Sequence, residues 1–398
     1  MSASLLIAQR IRDRGPLTVA EFMSIALYHP EHGYYSGVAH RTGRSGDFFT
    51  SVDVGPLFGR LLARQFAEMW QVLEAPGGDM PLSPGLDLVE AAAANGQLAH
   101  DVLSAAAEES PAFYAATRLH LVEASQAARA AHEAILGPHA ARLASSSGRL
   151  PDDIHGIVYA NELLDALPVH AVVQTPGGLA ERYVSLDEHD GAPRFIEQAG
   201  PLSNEAIGRH LASLGVRLAP GARAEVNLSA LAWLTRACSA LHRGFLVLID
   251  YGHPASQLYS ASHAAGTLTS VVHHVSPADG PADSAPAWLQ DPGSRDITSH
   301  VDLTSVQRVA EALGCETLGV LDQTYFMMAL SGMAPSETAQ SGADQPGGPS
   351  LPTDPRSLRA FKTLMMPGGL GSTMKVMVFG RNVGRPLLMG LRGPARLT

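Results

Sequence analysis

The stretch Leu86-Asp87-Leu88-Val89-Glu90-Ala91-Ala92-Ala93-Ala94-Asn95-Gly96-Gln97-Leu98 decides the fold. Leu86 to Glu90 reads as a short buried strand, and a helix follows from about Gly96 to Ala107. The residues between them are small. A strand that becomes a helix through small residues lets a nucleotide-type ligand approach the backbone, and the helix N-terminus turns N–H groups toward it. A plain strand–helix turn looks the same, so this segment alone does not choose between them.

The pattern recurs further along. Leu119 to Glu123 reads as a second strand before a helix at Ala127 to Leu136. Gly156 to Asn161 is a third, and Phe245 to Asp250 a fourth, preceded by a helix at Ser229 to Leu241. Such alternation predicts an α/β fold, a parallel sheet with crossover helices. The first three strands end in Glu90, Glu123 and Asn161. Ligands of open α/β sheets bind at the carboxyl ends of strands. Upstream, Ser4 to Arg14 has helical spacing and is broken by Gly15-Pro16. Thr18 with Glu21 forms a capping-box pattern ahead of a helix at Val19 to Leu27. Gly55 to Leu73 predicts an amphipathic helix with Phe58, Leu62, Phe66 and Met69 on one face. Ser372 to Phe379 reads as an antiparallel strand at the sheet edge. Pro335 to Pro355, rich in Ser, Gly, Pro and Gln, reads as a disordered insertion.

The expected organisation is a helical extension at 1–50 and a core with the ligand site at 51–275. An insertion and substrate-side segment at 276–334 follows, then the disordered insertion at 335–355 and a C-terminal strand with a basic tail at 356–398.

Composition narrows the function. The 398 residues are 45% apolar, enough for a sizeable core. The net charge is −10, and no basic stripe offers a surface for a nucleic-acid backbone. An acidic surface suits a basic partner, or simply solubility. Cys238 and Cys315 lie far apart in sequence in apolar surroundings and read as buried thiols. A reducing compartment, the cytoplasm, fits that usage. No run of about 18 apolar residues occurs, so no membrane-spanning helix is expected.

Several residues could carry chemistry. Glu123, ending the second strand, is placed to accept ribose hydroxyls, or it is a solvated strand-end acid. Asn161-Glu162-Leu163-Leu164-Asp165-Ala166-Leu167-Pro168 puts an amide and two acids directly after a buried strand. Such carboxylates can hold a guanidinium by bidentate hydrogen bonds. Asn161 as a helix cap with Glu162 in the first turn explains the same run. Asp250 ends the fourth strand, and His300 and Asp302 follow an irregular stretch. His253, His263, His273, His274 and His300 match no zinc or non-haem iron spacing, which argues against a metal.

Taken together, Thr18-Val19-Ala20-Glu21-Phe22-Met23, Tyr28-His29-Pro30-Glu31-His32-Gly33-Tyr34-Tyr35, Gly46-Asp47-Phe48-Phe49-Thr50, the Asn161 to Pro168 run, Asp250-Tyr251-Gly252 and Asp296-Ile297-Thr298-Ser299-His300-Val301-Asp302 resemble the MidA family, in that family's order. The resemblance implies a Rossmann-like methyltransferase core that uses S-adenosylmethionine, with an N-terminal helical extension and inserted segments. It implies transfer of a methyl group to an arginine on a partner protein, as the family's mitochondrial members do in complex I assembly. By the same resemblance, Glu90, Ala92, Gly96, Glu123, Asn161 and Gly46-Asp47-Phe48 face the cofactor. Glu162, Asp165, Asp250 and His300 become the acceptor-side candidates.

One departure stands out. The family's motif reads Glu-Leu-Gly-x-Gly-x-Gly, and here Ala92 and Ala94 occupy the first two glycine positions. If those positions need left-handed backbone, each alanine costs about 1–2 kcal/mol. If they need only close approach, an alanine fits with weaker binding. The alternative reading is therefore a weakened or inactive member that acts by holding a partner.

Overall fold

The computed structural model describes residues 2–36, 52, 55–75, 85–188, 194–271, 286–332 and 373–392. The Gly46 to Thr50 motif, the 335–355 segment, His273, His274 and the end of the basic tail lie outside the described residues.

The chain begins with α1 (Ala3–Arg14), a two-residue strand β1 (Leu17–Thr18) and α2 (Val19–Tyr28). The expected capping box is present. The Glu21 amide donates to the Thr18 hydroxyl at 3.1 Å, and the Thr18 amide donates to the Glu21 carboxylate at 2.9 Å. α3 (Leu57–Glu74) buries Phe58, Leu62, Phe66 and Met69 as its periodicity requires.

The sheet then opens with β2 (Leu86–Ala91), α4 (Gln97–Glu109), α5 (Pro111–Ala116), β3 (Thr117–Val122), α6 (Gln126–Leu136), β4 (Leu143–Ser147) and β5 (Ile154–Asn161). The chain leaves this layer through β6 (His170–Thr175), β7 (Gly178–Asp187), β8 (Arg194–Gly200), α7 (Glu205–Ser213) and β9 (Arg223–Val226). It returns by α8 (Leu228–Ala240) into the long β10 (Leu241–His253). There follow α9 (Ala255–Leu258), β11 (Thr269–Val271), β12 (Asp296–Thr298), β13 (Val301–Asp302), α10 (Leu303–Ala312), β14 (Glu316–Asp322), α11 (Gln323–Leu330) and β15 (Met374–Arg381).

The central sheet runs β14-β15-β10-β5-β2-β3-β4, with β13 beside β10. From β10 to β4 all neighbours are parallel, while β15 is antiparallel to β10 and to β14. Both faces are apolar, as parallel strands covered by helices require. Leu88, Ile157, Tyr159, Phe245 and Val247 pack toward α3, α4 and α11. The alternate residues Val89, Val158, Leu246 and Leu248 pack toward α8 and α10, where Cys238 and Cys315 are buried in the same cluster.

Two features differ from the sequence reading. The C-terminal strand β15 is antiparallel as expected, but it lies inside the sheet because β14 pairs along its outer side. Residues 170–226 also form a second sheet, β1-β7-β6-β9 with β8 on β7. Its first strand comes from the N-terminal extension, with Leu17 opposite Val184. Ile7, Phe22 and Met23 pack on Val169, Ala171 and Val184, so the extension and the inserted sheet share one core.

The strand order sets the site. From β2 the chain moves to β3 and β4 on one side, then crosses to β5 and β10 on the other. The order therefore reverses between β2 and β5. A ligand crevice forms at such a switch point because the loops leaving the two strands diverge.

Candidate functional site

The two loops at the switch point are the alanine turn after β2 and the Asn161–Leu167 turn after β5. Ala92 and Ala94 have φ of 57° and 44°, and Gly96 has φ of 86°. All three glycine positions of the motif thus take the left-handed backbone that favours glycine. The turn keeps that path although two positions carry a methyl group.

The strained peptide is held at both ends. The Ala94 amide donates to Glu123 Oε2 at 2.9 Å, and the Ala94 carbonyl accepts from His132 Nε2 at 2.8 Å. His132 is fully buried, and its Nδ1 meets the Ser146 hydroxyl at 2.9 Å. Burial lowers the His132 pKa, so the ring is neutral, with Nε2 carrying the hydrogen. The other Glu123 oxygen accepts from the Ser125 amide at 2.7 Å. Burial raises the Glu123 pKa against these bonds. Glu123 thus directly follows β3 beside the turn, where a ribose would lie, and it also fixes the turn itself. Glu90 is placed differently. It is 4% exposed, accepts from the Tyr159 hydroxyl at 3.0 Å and bonds the Ala99 amide of α4. Burial pushes its carboxyl up to about 8. Its side chain is committed to the sheet–helix junction under the turn.

Across the switch point, Asn161 ends β5 next to the β2 register pair Ala91 and Ala160. Its Nδ2 donates to Glu162 at 2.9 Å, while its buried Oδ1 has no hydrogen-bond partner among the described residues. Glu162 itself has φ of 52°, a third strained position, secured by its amide donating to the Ile249 carbonyl at 2.9 Å.

Asp250, 2% exposed at the end of β10, accepts from the amides of Leu164 at 2.7 Å and Tyr251 at 2.8 Å. Burial still raises it to about 7. Asn227, capping α8, donates to the Leu164 carbonyl at 2.8 Å and holds the same turn from below. Asp165 is 5% exposed, and its Oδ1 has no partner among the described residues. Burial first, then the charges of Asp250, Glu162 and Asp296, raise its pKa well above the usual carboxylate range.

Aromatic groups lie beside these acids. Tyr35 donates to Asp296 at 2.7 Å, Tyr28 donates to the Ala166 carbonyl at 3.0 Å, and the two rings lie 5.3 Å apart. The Ser299 amide donates to the Asp165 carbonyl at 3.0 Å. The structure therefore brings Glu162, Asp165 and Asp250 together, as the sequence reading listed them as acceptor-side candidates. It adds Asp296, Tyr28, Tyr35 and His132, to which that reading gave no role. Asp296 and the tyrosines stood in quoted motifs. His132 had no signal beyond its place in the helix after the second strand.

His300 is not part of the acid group. Its ring lies against His253 and His263, with centroids at 5.1 and 6.2 Å. The three rings come from separate elements that the fold brings together, a proximity that spacing along the sequence does not register. Gly46, Asp47 and Phe48 lie outside the described residues.

A doubly wound sheet with a left-handed turn after its first strand, an acid at the end of the next and an amide–acid pair across the switch point defines a Rossmann-like methyltransferase. The family model of S-adenosyl-L-methionine-dependent methyltransferases matches residues 61–321, and the chain belongs to that family, the MidA methyltransferases. A Burkholderia thailandensis protein crystallised with S-adenosyl-homocysteine is 27% identical, with a TM-score of 0.79, over 98% of this chain and 93% of that one. The protein arginine methyltransferase NDUFAF7 of Rattus norvegicus is 28% identical over 91% of this chain and 80% of its own. Its Drosophila melanogaster homolog is 27% identical over 92% and 82%.

The residues present fit the cofactor. The turn keeps the left-handed backbone at all three glycine positions, and the buried Asn161 oxygen, without a partner among the described residues, stands at the switch point. The alanine turn, Glu123 and Asn161 are the groups that would hold S-adenosylmethionine. Among the described residues no helix is long and apolar enough to cross a membrane.

Proposed function

We propose that this enzyme methylates a guanidinium nitrogen of an arginine on a partner protein. The observation that carries the reading is Asp165. It offers a buried oxygen without a hydrogen-bond partner among the described residues, close to the charges of Glu162, Asp250 and Asp296. Crowded buried carboxylates hold protons because they lack a cation. A guanidinium entering between them supplies one, lets Asp165 ionise and is held by charge-assisted hydrogen bonds. The flanking tyrosines favour a planar cation over an ammonium. The names of the NDUFAF7 relatives support the same acceptor.

When bound, the cofactor supplies an electrophilic methyl group. The chain's own part is mostly position. Glu162 and Asp165 orient the acceptor nitrogen, and Asp165, through the oxygen without a partner among the described residues, takes the proton that nitrogen must lose, while Asp250, whose two oxygens accept the Leu164 and Tyr251 amides, holds the turn. The relatives named as arginine methyltransferases support activity over the alternative, an inactive binding factor, although both alanines bear left-handed strain. A cytoplasmic location is part of this proposal, supported by a cysteine content of two in 398 residues, too few for a disulfide scaffold. A partner other than nucleic acid or membrane is part of it too, supported by the net charge of −10.

The test is transfer of radiolabelled methyl groups to lysate from a strain lacking the protein, followed by amino-acid analysis of the labelled band. Label in methylarginine is expected. Asp165→Asn and Glu162→Ala should each lower transfer on the order of a hundredfold, with cofactor affinity little changed. Label confined to other residues, or full transfer by both variants, would overturn the assignment.

A further inference from the structure

Three histidines outside the acid pocket converge at the end of β10. His253 is the last residue of β10, His263 ends the short 3-10 turn Ala261–His263, and His300 immediately precedes β13. The pairing of β13 with β10 brings them together, with Gly252 opposite Val301 and His253 opposite Asp302. A Cβ at position 252 would lie 2.5 Å from the Val301 carbonyl oxygen, so a glycine is needed for this approach. The ring centroids are 4.8, 5.1 and 6.2 Å apart, and one ring nitrogen from each residue lies within 4.8 Å of the other two.

Two details favour ligation over simple packing. First, His263 Nδ1 donates to the Gln257 carbonyl at 2.9 Å, with the Ser262 hydroxyl also at 3.2 Å. That bond fixes the tautomer and leaves Nε2 with a free lone pair, the usual outer-shell arrangement of a metal-binding histidine. The Gln257 side chain also hydrogen-bonds His253. Second, His300 Nδ1 is buried and has no hydrogen-bond partner among the described residues. A buried polar atom left so costs about 1–3 kcal/mol, which a ligated ion would offset.

We propose that His253, His263 and His300 form a three-histidine site for a divalent transition metal, zinc by its ligand chemistry. Imidazole nitrogens suit zinc and exclude magnesium and calcium. Zinc–nitrogen bonds of about 2.0–2.1 Å place ligand atoms about 3.3 Å apart, which small rotations of the three rings supply. The ion would tie the end of β10 to the 255–263 loop and to the 296–302 segment. That segment carries Asp296 and Ser299 into the acceptor pocket. The site stands whether or not the acceptor is an arginine.

The test uses tag-free full-length protein stripped with a chelator and titrated with zinc chloride against a chromophoric chelator. One equivalent should bind with micromolar or tighter affinity. Cobalt(II) should give the visible absorption of a tetrahedral complex. His263→Ala and His253→Gln, each shown by circular dichroism to be folded, should weaken zinc binding at least about tenfold. His242→Ala removes a histidine stacked on His155 elsewhere and should leave binding unchanged. Zinc should raise the melting temperature of the wild type but not of His263→Ala. The proposal fails if the folded wild type binds no stoichiometric zinc, or if either folded ligand variant binds as the wild type does.

Discussion

Replacing Ala92 and Ala94 together by glycine should make the protein more stable, although glycine normally loosens a chain. Both residues hold left-handed backbone, φ 57° and 44°. Relief of that strain is worth about 1–2 kcal/mol at each position. Glycine adds unfolded-state entropy worth roughly 0.5–1 kcal/mol per site. The difference leaves a gain of about 1–2 kcal/mol for the pair. With an unfolding entropy of about 2.1 cal/mol/K per residue over the chain, that raises the melting temperature by roughly 1–2 °C. Urea denaturation reads the free energy directly from the midpoint at constant slope. The control is Ala93→Gly. Ala93 is 3% exposed and lies between the strained positions without positive φ. It should lose about 1 kcal/mol, having no strain to release. If the double variant loses stability as Ala93→Gly does, the left-handed turn is not the conformation in solution.

Glu90 gives a pH test. Its carboxyl holds a proton up to about 8 in the fold, against 4.5 ordinarily. Stability from this group is therefore complete below about pH 4.5 and is lost as pH rises through about 8. Glu90→Gln should flatten the fall in stability over that window by up to about 1.4 kcal/mol per pH unit, followed by urea melts from pH 5 to 8; an unchanged slope would count against a buried neutral Glu90. Tyr35→Phe deletes the hydrogen bond to Asp296 and should cost about 1–2 kcal/mol in the same melts, while a neutral effect would place Tyr35 away from that acid.

Much of the core was legible because its strands are short runs of Leu, Val and Ile that end at polar residues. The Thr18–Glu21 cap was legible because it is local. β14 escaped notice because Glu316, Thr317 and Gly319 interrupt its apolar pattern. The inserted sheet did leave a signal. Thr175 and Gly178 pair across the two residues Pro176-Gly177, a turn sequence flanked by alternating apolar positions. The site was half legible. The motif spacing made the backbone at Ala92 and Ala94 a conditional question, and only the dihedral angles answer it. His132 and the His253–His263–His300 trio depend on contacts between elements far apart in sequence, which local patterning does not encode.

Calorimetric titration of the purified protein with S-adenosylmethionine bears most directly on whether an alanine-bearing turn still cradles the cofactor beside the acid pocket. One molecule should bind per chain, more weakly in Glu123→Ala, which frees the Ala94 amide, and equally well in Glu162→Ala. No heat and no thermal shift in the folded wild type would contradict the account.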